Sequence, residues 1–64
     1  MTKEEMISSL ERKIHMNRLE AKHYYDLAES QPESSAQWKE LQSYYDGRAA
    51  AFEWSLSALE EIVS

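Results

Sequence analysis

Four groups of side chains in this chain have the types and spacing for recognition or chemistry. The first is a polar interruption. Asn17 and Arg48 each fall where helical spacing calls for an apolar residue, and the chain's single glycine, Gly47, sits beside Arg48. A glycine inside a helix costs about 1 kcal/mol against alanine, which suggests a close backbone approach or room for a ligand. A polar layer of this kind either fixes register and oligomer state at some expense in stability or binds something, and the residues leave both uses open. The second group is Tyr-Tyr-Asp, which occurs as Tyr24-Tyr25-Asp26 and again as Tyr44-Tyr45-Asp46. Successive helical residues point about 100° apart, so each pair sends one ring inward and one outward. Tyrosine offers a stacking face and a hydroxyl, suited to a base or to an interface. The flanks differ, His23 and Leu27 in one and Ser43 and Gly47 in the other, which argues against an internal repeat.

The third group is His15, Arg18 and Lys22, which share one helical face. With Tyr25 or a ring from another subunit they suit phosphate; the alternative is a solvated surface with Glu11 and His15 paired one turn apart. The fourth is Glu20-x-x-His23, the spacing of carboxylate-bridged metal bundles. Such sites need a second copy of the motif, and the acids Glu40, Asp46 and Glu53 come without a histidine. No metal and no cofactor is therefore expected. Nor is catalysis: there is no cysteine, no glycine-rich phosphate loop and no convincing nucleophile setting.

The elements that position these groups are legible from periodicity. Apolar residues recur at steps of three and four on both sides of Pro32, the one proline. The chain is expected to be all-α: a single domain over 1–64, with a helix over about 3–29, a loop over about 30–35 and a helix over about 35–63. Thr2 and Glu5 have the form of a capping box at the start of the first helix. Its stripe reads Ile7, Leu10, Ile14, Asn17, Ala21, Tyr24, Ala28, with a second stripe of Met6, Met16, Leu19, His23 and Leu27 beside it. Pro32 disfavours helix in the residue before it, and Ser34 or Ser35 is a candidate cap for the second helix. That helix carries Trp38, Leu41, Tyr45, Ala49, Phe52, Leu56, Leu59 and Val63, and beside them Tyr44, Ala51, Ala58, Ile62 and, near the edge, Trp54. Folding about Pro32 sets Ile7 against Leu59, Ile14 against Phe52 and Asn17 against Arg48.

A two-helix hairpin covers one stripe per helix. The second stripe on each predicts a partner helix from another subunit, with Trp38, Tyr45, Phe52, Trp54, Leu56, Leu59 and Ile62 as interface candidates. Length argues the same way, since a 64-residue chain removes only ~60% of its unfolded surface from water, and no disulfide reinforces it. The net charge of −5 is unevenly placed. Arg12, Lys13, Arg18 and Lys22 face only Glu20 within residues 12–23, while residues 24–64 are strongly acidic. An acidic whole disfavours nucleic acid, and a local basic cluster suits a small anion or an acidic patch. No long apolar run reads as a membrane span or a secretory leader, so a cytoplasmic location is expected.

The segment Ala36-Gln37-Trp38-Lys39-Glu40-Leu41, with Phe52-Glu53-Trp54-Ser55-Leu56-Ser57-Ala58-Leu59 after it, resembles short helical-hairpin proteins of phages that sequester cyclic-nucleotide immune signals. The likeness covers about half of the chain and departs in spacing within the middle of the second helix. It implies a compact homo-oligomer holding a cyclic nucleotide between subunits through aromatic and basic side chains, and so an anti-defence role. On chemistry, the ligand-binding candidates are Asn17, Arg18, Lys22, Tyr24, Tyr25, Tyr44 and Arg48. The expectation is a non-enzymatic protein, most simply a four-helix dimer, sequestering an anionic nucleotide. The alternative is an inhibitor or adaptor that docks a host protein through an exposed apolar helix face.

Overall fold

The computed structural model describes residues 2–63, apart from the side chain of Val63, so that member of the expected stripe lies outside the described residues. Of the described residues 97% are helical. Helix α1 spans Lys3–Ser30, a single 3-10 turn spans Pro32–Ser34, and helix α2 spans Ser35–Val63. No strand occurs among the described residues.

Local chemistry sets each boundary. The Thr2 hydroxyl accepts from the Glu5 amide at 3.1 Å, and the Glu5 carboxylate accepts from the Thr2 amide at 3.2 Å. This reciprocal box satisfies amides that the first turn leaves without helical partners. Glu4 and Glu5 also place negative charge at the positive end of the helix dipole. At the other end Gln31, the residue before proline, leaves helical geometry at φ −128° and ψ 74°. Its amide still donates to the Leu27 carbonyl at 2.8 Å, and the Ser34 amide then donates back to Gln31 at 3.0 Å. Ser35 is already helical at φ −57° and ψ −35°. It therefore belongs to the run of α2 rather than capping it, since a capping residue has extended backbone.

The helices run antiparallel, as cross-hairpin contacts show: Lys13 lies over Phe52, Arg18 reaches Asp46, and Tyr24 reaches Trp38. The α1 seam is the expected one, since Ile7, Leu10, Ile14, Asn17, Ala21, Tyr24 and Ala28 are all buried or half-buried. The α2 seam reads Trp38, Gln42, Tyr45, Ala49, Phe52, Leu56, Leu59. Gln42 takes the place expected of Leu41, which is exposed. The seven-residue repeat through Trp38, Tyr45, Phe52 and Leu59 determines which neighbour turns inward.

The two ends differ. Towards the turn, the Tyr24 ring stacks between Trp38 and Tyr45, with centroids 5.9 and 5.6 Å away. His23 meets Tyr24, and Tyr44 meets Tyr45, edge to face. Such ring pairs add about 0.5–1.5 kcal/mol each beyond their burial. Towards the open end the seam is aliphatic. The whole measures 48 × 15 × 13 Å, and among the described residues only Ala21, Ala28 and Ala49 are fully buried apolar residues. Two cylinders touch along a line, so the larger apolar side chains extend past their neighbour's edge and stay part-exposed.

Candidate functional site

The central polar layer does not form as the sequence suggests. Asn17 is buried, and its amide donates to the Lys13 carbonyl of its own helix at 2.7 Å. Arg48 does not face it. The Arg48 side chain is exposed, donates to the Tyr44 hydroxyl at 3.0 Å and lies 5.6 Å from that ring. Ala49, entirely buried, holds the inward place. Pairing by number gives the level along the axis, but direction changes by 100° per residue, so Arg48 is level with Asn17 and points elsewhere. Gly47 is not a close approach either: a Cβ built there meets nothing within 4 Å.

The basic face of α1 is engaged. Arg18 donates to Asp46 at 3.1 Å and to Glu53 at 2.5 Å, and all three side chains are about half exposed. The Glu53 hydrogen bond above all, opposed by desolvation and aided by both charges, raises the Arg18 pKa above its ordinary value. A phosphate at Arg18 would compete with two carboxylates. Lys22 and Tyr25 are exposed on the same side of α1, while Tyr24 is enclosed in its stack. The seven candidate ligand residues are thus dispersed: Asn17 and Tyr24 in the seam, Arg18, Lys22 and Tyr25 on one flank, Tyr44 and Arg48 on the other. Glu20 and His23 gain no further ligand, for no group of three or more potential metal ligands exists among the described residues.

Of the interface candidates, Trp38, Tyr45, Phe52, Leu56 and Leu59 are half-buried in the hairpin's own seam. Trp54 and Ile62 are 76% and 81% exposed. These two open onto a groove of about 520 Å³ at the open end, lined chiefly by Met6, Leu10, Ala58 and Leu59 besides them, with Lys13 at its edge. From the groove an apolar flank continues towards the turn through Met16 and Leu27 on α1 and Ala51, Tyr44 and Leu41 on α2. Met6, Met16 and Tyr44 are 40%, 52% and 54% exposed. The opposite flank carries the Arg18–Asp46–Glu53 ion pairs. Met6 and Lys13 lie outside the candidate site residues read from the sequence, although the second α1 stripe contains Met6.

The exposed area of the chain, 4837 Å², has a scale to be set against. A folded monomer of 7.5 kDa is expected to expose roughly 4,250 Å². The excess is of the order that one partner contributes to a standard protein interface, about 800 Å². Comparison with known proteins finds no family model that matches the chain, and no curated protein or solved structure significantly similar to it. No helix among the described residues is long and apolar enough to cross a membrane.

Proposed function

We propose that this chain is a non-enzymatic helix-docking protein. It assembles into a homo-oligomeric helical bundle through its exposed apolar flank, and a protein partner that it inhibits or adapts competes with the second copy for that flank. One observation carries the reading: the exposed apolar side chains that recur along one flank, from Met6, Trp54 and Ile62 to Tyr44, with Lys13, Glu20 and Arg48 set among them. On the other flank, by contrast, Arg18 is engaged by acids of the same chain. Hydrophobic helix faces of this width are the usual means of docking helix to helix or helix to groove. The groove supports binding rather than turnover, because its one ionisable side chain is Lys13 in an otherwise largely apolar lining.

Sedimentation velocity on the intact chain and on Ile62→Glu tests this. The expected result is an oligomer for the former and a helical monomer for the latter. A natural chain that sediments as a monomer over the whole micromolar range would refute the self-assembly.

A second reading, capture of an anionic cyclic nucleotide between subunits, is favoured by Arg48. Its guanidinium lies against Tyr44 on the apolar flank and bonds a hydroxyl rather than a carboxylate. Calorimetric titration with cyclic nucleotides decides it: heat that disappears in Arg48→Ala supports capture, and no heat with the natural chain removes it.

A further inference from the structure

We infer that the apolar flank is covered by a second copy laid on it end for end, so that α1 meets the partner's α1 and α2 meets the partner's α2, each antiparallel. This rests on the self-assembly proposed above and specifies its geometry. A twofold axis of this kind demands a self-complementary surface, and the flank has one. On α1, Lys13 lies three residues before Met16 and Glu20 four residues after it, all on this side by spacing. With Met16 set on the partner's Met16, each Lys13 comes beside the partner's Glu20. Met6 comes beside the partner's Leu27 by the same count.

On α2 the centre is Ala51. Tyr44 precedes it by seven residues and Ala58 follows it by seven, so each Tyr44 lands on the partner's Ala58. Ala58 lines the groove, next to the equally small Ser55. The 54% exposed Tyr44 ring is thus the large side chain set opposite the small Ser55 and Ala58 in the groove's lining. The competing twofold arrangement, with both turns at one end, sets α1 on the partner's α2. It sets groove against groove and encloses two hollows, which close-packed interiors avoid. The excess exposed area noted above is of the size this contact would remove.

Cysteine cross-linking distinguishes the arrangements, and the cysteine-free chain gives a clean background. In the end-for-end dimer Met16→Cys sits beside its own mate, and so does Ala51→Cys; each closes an intermolecular disulfide on mild oxidation. With both turns at one end, these residues lie on diagonal helices, beyond the roughly 7 Å Cα separation that a disulfide spans. A charge swap gives a second readout that no disulfide geometry can bias. Lys13→Glu and Glu20→Lys should each raise the dissociation constant roughly tenfold, and the double variant should restore it. Dimers that form without either cross-link, or in which the double swap fails to restore affinity, would overturn the arrangement while leaving self-assembly standing. A natural chain that stays monomeric overturns both.

Discussion

Gly47→Ala tests the account of α2 most directly, because its effect has opposite signs under the two explanations of that glycine. Gly47 lies mid-helix without a positive φ, so it makes no use of glycine's conformational freedom. A Cβ there meets nothing within 4 Å. Nothing in the hairpin opposes the substitution, and alanine gains the propensity difference of about 1 kcal/mol by restricting the unfolded chain. In a chain of this size that raises the melting temperature by about 4–8 °C. By spacing Gly47 lies three residues after Tyr44 and four before Ala51, within the flank, so the prediction is for the single chain and is read at low protein concentration. Thermal melts by circular dichroism at several protein concentrations measure it. A lower melting temperature, worsening as concentration rises, would mean that a second body approaches the Gly47 backbone. A lower melting temperature that does not change with concentration would refute the account of Gly47 as an unopposed helical position.

Three further substitutions follow from the seam and its edge. Asn17→Leu should raise stability by about 1 kcal/mol, because the Lys13 carbonyl keeps its helical partner and a buried amide is replaced by apolar surface; a lower melting temperature contradicts this. Trp38→Phe should cost less than about 1 kcal/mol, since its buried Nε1 has no hydrogen-bond partner among the described residues and the smaller ring removes that orphan donor; a loss of several kcal/mol in chemical denaturation would show that the indole is satisfied. Arg18→Ala should lower the melting temperature slightly, and by less in high salt, as its half-exposed ion pairs are screened. The raised Arg18 pKa contributes stability that is complete below arginine's ordinary value and lost only as pH climbs through the raised one. Titration of Arg18 itself should therefore leave stability flat from acid to neutral pH, and an Arg18→Ala deficit that salt leaves unchanged counts against the pairing.

The hairpin was legible because its signals are local. The box of Thr2 and Glu5, the break at Pro32 and the seven α1 seam positions each depend on neighbours within a turn or two, and each stands in the structure. The inward and outward tyrosines followed from the same angular rule: Tyr24 and Tyr45 are half-buried, Tyr25 and Tyr44 exposed. What failed was inference across the hairpin. Asn17 and Arg48 were expected together because their numbers match about the turn, yet the phase of α2 makes Ala49 the inward residue. Likewise Gln42 displaced Leu41. The partners of Arg18 were missed because Asp46 and Glu53 lie one turn either side of the seam position that faces it, and no sequence motif marks such a triad.

That failure bears on function. Among the described residues only three alanines are fully buried apolar ones, and the larger aromatic and aliphatic side chains described form no closed core within one copy. The turn end compensates by stacking Trp38, Tyr24 and Tyr45 against one another, which makes it self-sufficient. The open end has no such stack. There Met6, Trp54 and Ile62 line an open groove and stay in contact with water. Folding and docking are then one process in different proportions along the same 48 Å: the aromatic end is ordered by its own chain, and the aliphatic end gains its burial from whatever covers it. Substitutions at the turn should therefore register as stability at every protein concentration. Those at the open end should register chiefly as affinity, because the surface they alter is not yet buried in the single chain.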